Sequence, residues 1–127
     1  MFRKLGLASL FFCSNAFAAN TTCVTEVRNY CNDFEPCIRN VDKEKSTHLV
    51  KISSNKLTIV KTIGGRETSN WEAKLVNTWE NGSRSYIESG GANTLFTLNP
   101  SQSRFVLLSP GASKDSTWAQ VEIGACK

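Results

Sequence analysis

From His48 onward, short runs of hydrophobic and β-branched residues are separated by turn residues at intervals of about eight to twelve positions, a pattern typical of all-β sandwiches and barrels. The predicted strands are 48–53, 56–63, 71–80, 83–89, 93–98, 104–109 and 117–123. Glycine, proline, asparagine and serine predict the turns between them, at Ser54-Asn55, Gly64-Gly65, Asn81-Gly82, Gly90-Gly91, Asn99-Pro100 and Ser109-Pro110-Gly111.

These short connections leave no room for crossover helices, so neighbouring strands should be antiparallel. Residues 23–30 fit either a strand or a helical period, and a strand is favoured because everything downstream is strand-like. An open sheet would leave two exposed edges. We therefore expect a mainly β fold, an antiparallel meander of seven to eight short strands closing into a small barrel, with a sandwich as the alternative.

Alternation within the strands predicts which side chains enter the core, because successive side chains of a strand point to opposite faces. The core candidates are Leu57, Ile59 and Ile63; Trp71, Ala73, Leu75 and Trp79; Phe105 and Leu107; and Ala119, Val121 and Ile123.

The strongest local signal is Asn81-Gly82, which is typical of a two-residue type I′ hairpin turn with positive φ at both residues. Such a turn sets Trp79 opposite Arg84. Because Trp79 is on the predicted core face, Arg84, Tyr86 and Glu88 would then also point into the core. Buried charges must then lie near an open barrel end or pair with each other. The alternative is a bulge that changes the register and leaves ordinary sheet surface.

On the two-residue register, the tip of this hairpin is predicted to be a solvent-accessible binding surface. Arg84 is expected to stack on Trp79 across the hairpin. The residues of this predicted surface are Trp79, Asn81, Arg84 and Tyr86.

The N-terminus predicts export. Arg3 and Lys4 precede an apolar run, and Ala16-Phe17-Ala18 fits a cleavage site, so residues 1–18 are interpreted as a signal peptide and 19–127 as a single β domain. Lipid attachment at Cys13 is the alternative, disfavoured by the large Phe12 before it. No apolar run approaches the roughly 20 residues that a membrane-spanning helix needs, so we expect a soluble periplasmic or secreted protein.

Cleavage after Ala18 removes one of the five cysteines and leaves four, which in an exported domain indicates two disulfides. We predict Cys31–Cys37, which closes a tight loop, and Cys23–Cys126, which ties the first strand to the last. A zinc site is the alternative, but the cysteines lack paired CxxC spacing and His48 is remote from them. We expect no metal and no cofactor.

Charge argues against a nucleic-acid partner. The chain carries 15 Lys and Arg against 11 Asp and Glu, and loss of Arg3 and Lys4 leaves 13 against 11, a formal charge of +2. No basic run alternates with aromatic residues as in single-strand binding grooves, so we expect no nucleic acid.

Few residues suit catalysis. His48, the single histidine, is in phase with Val50 and Ile52 and is interpreted as a structural residue with a satisfied ring nitrogen. A ribonuclease-like hydrolase would need His48, Arg84 and a glutamate to converge in one concavity. We predict no catalytic residues.

Cys31-NDFEP-Cys37, the run of short strands and the closing Gly124-Ala125-Cys126 together resemble a layout of small exported bacterial β-barrel proteins with disulfides and no assigned function. The chain is also loosely similar to periplasmic lysozyme inhibitors, whose polar loops plug an enzyme cleft; the stretch 82–86 is the part that suggests their inhibitory motif.

The shortage of catalytic residues and the supply of aromatic side chains lead us to expect an exported, non-enzymatic interaction or binding module. Resemblance to the inhibitors implies a protein partner in the periplasm or outside the cell. The alternatives are a small ribonuclease-like hydrolase and a carrier of an apolar or sugar-like ligand in the barrel mouth.

Overall fold

The structure, a computed structural model, describes residues 18–34, 36–40, 46–90 and 93–127. Residues 1–17 of the predicted signal peptide, including Cys13, lie outside these ranges, and so does Gly91 of a predicted turn. No helix in the described ranges is long and apolar enough to cross a membrane.

The described residues form nine strands, and every neighbouring pair is antiparallel. They are β1 Ala18–Asn32, β2 Ile38–Asn40, β3 Ser46–Ser53, β4 Lys56–Ile63, β5 Arg66–Thr78, β6 Arg84–Glu88, β7 Leu95–Leu98, β8 Arg104–Ala112 and β9 Thr117–Cys126. Strands β3 to β9 follow one another as a meander, and β1 pairs with both β3 and β9.

Pairing of β1 with both β3 and β9 closes eight strands into a barrel, while β2 adds to the edge of β1. The predicted antiparallel β-barrel is therefore confirmed, and so is the strand interpretation of 23–30. One end of the barrel, the mouth end, carries the turns at 64–65 and 113–116. The opposite end, the terminal end, carries the turns at 54–55, 79–83 and 99–103, together with Ala18 and Cys126.

Both predicted disulfides are present. Cys23 lies directly opposite Cys126 in the β1–β9 ladder and is bonded to it. Cys31 is bonded to Cys37 across the connection between β1 and β2. Two disulfides are compatible with an oxidising environment.

The core candidates of β4, β5 and β8 are confirmed except for Ile63, which is half-buried, and Trp79, which is exposed. Leu57, Ile59, Ala73, Phe105 and Leu107 are buried, and Trp71 and Leu75 pack against them. Phe96 stacks on Phe105 with ring centroids 5.4 Å apart.

The prediction for β9 is wrong. Ile123 is among the exposed hydrophobic residues, whereas Glu122 is buried. Cys126 must face Cys23 inside the barrel, and alternation carries that inward face back to Glu122.

The predicted turn at 64–65 is confirmed, and the one predicted at 109–111 is wrong. Gly64 and Gly65 have φ of 60° and 80° between the paired Ile63 and Arg66, as a type I′ turn requires. The turn predicted at 109–111 is absent, because β8 continues to Ala112. Pro110 is tolerated there because β7 pairs with β8 only as far as Leu108, so the segment beyond it is an edge where no N–H is needed.

Candidate functional site

The hairpin predicted as a binding surface has a different turn. The N–H of Gly82 donates to the carbonyl of Trp79 at 2.9 Å, and the N–H of Trp79 donates to the carbonyl of Ser83 at 2.8 Å. Gly82 has a φ of 92°, whereas Asn81 is not in the positive-φ region. This is a three-residue turn, 80–82, closed by a glycine in the left-handed region, and the predicted two-residue turn is wrong.

A second irregularity changes which residues face outwards. The ladder pairs Leu75 with Tyr86 and then Asn77 with Ser85, so Val76 is an extra residue in β5. A bulge of this kind reverses the inside and outside positions beyond it. The bulge given as the alternative for this hairpin is therefore present and puts Trp79 on the outer face, but the ordinary sheet surface expected with it is not found for Arg84 and Tyr86, which point inwards.

The four residues of the predicted surface do not share one face. Trp79 is 53% exposed on the outside, where its indole N–H donates to the Ser85 hydroxyl at 2.9 Å. Asn81 is exposed in the turn. Arg84 pairs with the buried Leu98 and so belongs to the inner face, and Tyr86 is only 1% exposed. The solvent-accessible position predicted for Tyr86 is wrong, as is the stacking of Arg84 on Trp79, which lie on opposite faces.

Placement of charges near the barrel ends is confirmed for this strand. Arg84, Tyr86 and Glu88 all point inwards, since they alternate along β6. Arg84 lines a small concavity at the terminal end, and Glu88 lines a larger cavity at the mouth end, with Tyr86 in the core between them.

The larger cavity, which we call the mouth, encloses about 380 Å³. Its lining comes from strands on several sides of the barrel and is mostly polar. It consists of His48, Lys61, Ser69, Asn70, Trp71, Glu88, Thr94, Leu107, Ser109, Gln120 and Glu122. Its volume lies at the lower end of the range of about 300 to 1,000 Å³ for small-molecule sites.

At the floor of the mouth, the Glu122 carboxylate holds a group of polar side chains that we call the Glu122 cluster. Oxygen Oε1 accepts hydrogen bonds from Thr25 Oγ1 at 2.8 Å and from Arg28 Nη2 at 3.3 Å. Oxygen Oε2 accepts from Gln120 Nε2 at 3.2 Å and lies 3.6 Å from Lys61 Nζ. Arg28 also donates to the Ser46 hydroxyl at 2.9 Å.

The cluster depends on an irregularity in β1. Thr25 pairs with Gly124 and Val27 with Ile123, so Glu26 is an extra residue. The bulge lets Thr25 and Arg28 point to the same side, and Glu26 turns outwards to an ion pair with Arg104 at 3.1 Å.

Electrostatics keep Glu122 ionised. Burial by itself would raise the pKa of its carboxyl group. The hydrogen bond with His48, the charges of Lys61 and Arg28 and the hydroxyl of Thr25 outweigh burial, and they hold this pKa well below its ordinary value of 4.5.

His48 is fully buried and packs edge-on against Phe105, with ring centroids 5.5 Å apart. Its Nε2 lies 3.3 Å from Thr25 Oγ1 and 3.5 Å from Glu122 Oε1. Because the Thr25 proton is donated to Glu122, we assign a proton to Nε2, which is shared between Thr25 Oγ1 and Glu122 Oε1, while Nδ1 is buried without a partner among the described residues. The structural role predicted for His48 is consistent with this contact.

A histidine, a glutamate and an arginine do meet here, and the histidine is the predicted His48, but the arginine is Arg28 and the glutamate is Glu122. Arg84 lies at the opposite end, and Glu72 is on the outside, 3.8 Å from Lys56. A general acid or base must reach the proton it transfers. The side chains of His48 and Glu122 are 0% and 2% exposed, so only a small part of each is open to the mouth that they line.

Sequence reasoning missed Glu122, Lys61 and Arg28, and a signal existed for two of them. Lys61 is in phase with Leu57 and Ile59, and Glu122 is in phase with Cys126. Arg28 reaches the interior only through the bulge, for which the sequence offers no turn residue.

Trp118 lies at the rim of the mouth, two residues before Gln120 in β9 and on the same face of that strand. It pairs with Gly111 of β8. A Cβ atom on Gly111 would collide with the Trp118 indole, so the ring lies against the glycine backbone. Within the described ranges, no group of three or more His, Cys, Asp or Glu side chains could hold a metal ion.

Comparison of the chain with protein-family models, with curated proteins and with solved structures finds no match in any of the three.

Proposed function

We propose that the protein is an exported, non-enzymatic binding module that takes a small hydroxylated ligand, of the sugar class, in the mouth of its barrel. The observation that carries this proposal is the composition of the mouth, which combines Trp71 with hydroxyl and amide side chains on several strands. An apolar ligand would leave these polar groups without partners, at a cost in free energy. A sugar offers hydroxyls to them and an apolar ring face to the indole.

The Glu122 cluster supports the proposal because it fixes part of the lining before any ligand arrives. Oxygen Oε2 of Glu122 holds Gln120 by a hydrogen bond and Lys61 by an ion pair, and both side chains line the mouth. Side chains already held in place lose less conformational entropy on binding. The enclosed carboxylate thus acts as a support for the walls.

The rim adds a second aromatic surface. Trp118 is 38% exposed and stands outside the mouth above Gln120, while Trp71 lines its wall. Large, rigid aromatic faces supply contact area with little loss of rotamer freedom. A ligand longer than one ring would extend from Trp71 towards Trp118.

Export rests on the basic and apolar N-terminus and on the two disulfides, which suit an oxidising compartment. A non-enzymatic role is supported by the near-complete burial of His48 and Glu122, which line the floor of the mouth but expose little of either side chain to a bound molecule.

The test is a panel of immobilised mono-, di- and oligosaccharides, neutral and charged, probed with the mature chain. Sugars that are retained are then titrated by calorimetry against the wild type and two tryptophan variants. We expect Trp71→Ala to lower affinity at least tenfold and Trp79→Ala, on the outer face, to leave it unchanged. Because Trp71 also packs against the core, Gln120→Ala provides a second variant whose loss of affinity is expected without a loss of fold. No retention of any sugar, or equal affinity of all variants, contradicts the proposal.

A second candidate, contact with a protein partner, is favoured by the outer face of the barrel. Side chains there form a row across β6 to β9, and Trp79 covers its first member. The row, which we call the outer patch, consists of Ser85, Thr97, Val106 and Ile123 together with Trp79. Capture of a periplasmic protein by the wild type but not by Trp79→Ala would assign the patch to a partner, as the inhibitor-like interpretation requires.

A further inference from the structure

A second concavity lies at the terminal end of the barrel, on the far side of the core from the mouth. It encloses about 180 Å³ between the turns 79–83 and 99–103, and we call it the terminal pocket. Arg84, Tyr86 and Gln102 are among its lining residues. The two turns are in contact, because a Cβ on Gly82 would lie 3.4 Å from Pro100.

Tyr86 is a buried side chain with an unused hydroxyl. It is 1% exposed and belongs to the core, yet it also lines the terminal pocket. Nowhere in the described part of the chain does a group hydrogen-bond its hydroxyl. The hydroxyl oxygen itself is not enclosed, so it opens into the terminal pocket and is available to a ligand there.

Among the described residues, the guanidinium of Arg84 also lacks a hydrogen-bond partner, and it carries a positive charge. Its strand neighbours across the ladder are Thr78 and Leu98, neither of which can neutralise a guanidinium. The ion pairs formed by described residues do not include Arg84, and no described acceptor hydrogen-bonds it. A half-buried guanidinium therefore shares a pocket with a phenol hydroxyl, and both side chains can donate hydrogen bonds to whatever enters.

Gln102 closes the other side of the pocket. Its φ of 58° places a non-glycine residue in the left-handed region, and its N–H donates to the Asn99 carbonyl at 2.9 Å. Such a conformation persists only where the surroundings enforce it. Asn99 also anchors the turn through its side-chain oxygen, which accepts from the N–H groups of Ser103 and Arg104 at 2.8 and 2.9 Å.

We propose that the terminal pocket binds a small oxyanion, held by the Arg84 guanidinium and the Tyr86 hydroxyl. Arginine matches the two oxygens of a carboxylate or phosphate with parallel N–H groups, and the phenol supplies a third donor. The pocket, at about 180 Å³, is large enough for a group of this size. The site is separate from the mouth, since the ring of Tyr86 lies in the core between the two cavities.

The test uses inorganic phosphate and acetate as probes, because a phosphoryl or a carboxyl group could supply the same chemistry. Amide chemical shifts of the mature, disulfide-bonded chain are followed during titration, with sodium chloride at matched ionic strength as the blank. We expect saturable shifts in 82–86 and 99–103 with at least one probe. Phosphate alone would assign a phosphoryl ligand, acetate alone a carboxylate, and both together an unselective oxyanion site. Shifts with neither probe, or only those that chloride also gives, overturn the proposal.

Variants identify the donors. Arg84→Gln should weaken binding about tenfold or more, and Tyr86→Phe, which keeps the ring in the core, by about three- to tenfold. Arg66→Gln makes the same charge change at an exposed position of the mouth end and should leave binding unchanged. Equal loss in Arg84→Gln and Arg66→Gln would show a general charge effect and overturn the site. If Arg84→Gln does not fold, unchanged affinity in Tyr86→Phe overturns the assigned geometry by itself.

Discussion

Thr25 and Arg28 are three residues apart on β1, yet both donate hydrogen bonds to the same oxygen of Glu122, at 2.8 and 3.3 Å. In a regular strand, residues separated by an odd number of positions point to opposite faces. The bulge at Glu26 removes this opposition, and so a carboxylate can be held inside the barrel by groups from β1, β3, β4 and β9.

Glu122→Gln should destabilise the protein by about 3 kcal/mol at pH 7, because removing one partner of an enclosed charge network leaves the others uncompensated. Urea unfolding followed by circular dichroism measures the change. Glu72→Gln is the matched control, since its ion pair with Lys56 is exposed, and should cost less than about 1 kcal/mol. A comparable loss in both variants would contradict the structural role of the cluster.

The same carboxyl group predicts a pH dependence. Its pKa is lower in the folded chain than the ordinary value of 4.5, so the unfolded chain binds more protons below that pH. The stabilisation by Glu122 is fully present above pH 4.5 and is lost as the pH falls below it. The free energy of unfolding of the wild type should therefore fall more steeply between pH 5 and pH 3 than that of Glu122→Gln. Parallel curves would show that the carboxyl is not held ionised by its partners.

The two disulfides should contribute unequally. Their sequence separations are 103 for Cys23–Cys126 and 6 for Cys31–Cys37. In the chain-entropy model the long loop is worth about 4 to 5 kcal/mol and the short one about 2 kcal/mol. Double alanine variants of each pair, compared by urea unfolding, should show this order. The reverse order would mean that the closure between β1 and β9 is not the main constraint on the unfolded chain.

The turn type can be tested with two neighbouring substitutions. Gly82→Ala places a side chain at a φ of 92° and should cost about 1 to 2 kcal/mol. Asn81→Ala loses only the hydrogen bond that the side-chain oxygen accepts from the Ser83 N–H, so it should cost about 1 kcal/mol or less. A two-residue type I′ turn would require positive φ at Asn81 as well, and the two costs would then be similar.

The inner and outer faces of the hairpin predict opposite mutational effects. Tyr86→Ala should cost about 3 to 5 kcal/mol, because it removes a buried ring and leaves a cavity. Trp79→Ala, on the outside, should cost about 1 kcal/mol, chiefly through its contact with Ser85. Thermal unfolding of both variants measures the difference, and similar values would mean that the bulge at Val76 does not set the faces as described.

The parts of the fold that could be predicted are those encoded by local patterns. Alternation in 56–63 gave the bounds of β4 and its buried Leu57 and Ile59, and the cysteine spacing gave both disulfides. Bulges could not be predicted, because Glu26 and Val76 are ordinary strand residues and the extra position arises from the fit between neighbouring strands. Each bulge reversed an inside–outside pattern, and so the positions of Arg28 and Trp79 required the structure.

The candidate site was harder to predict than the fold for a related reason. Glu122 is a charged residue on the buried face of β9, where polarity argues for exposure and only its phase with Cys126 argues for burial. Apolar Val121 and Ile123 beside it favoured the opposite face. The even spacing between Glu122 and the disulfide-bonded Cys126 was the better predictor of burial, because the disulfide fixes which face of β9 is inside.

The most direct test of binding in the mouth is an amide chemical-shift titration of the mature chain with the sugar that the panel retains best. We expect saturable shifts concentrated in 69–71, 107–109 and 118–122, with 79–83 and 99–103 unaffected. Shifts confined to the outer patch, or no shifts at any sugar concentration, would contradict the account of the mouth as the binding site.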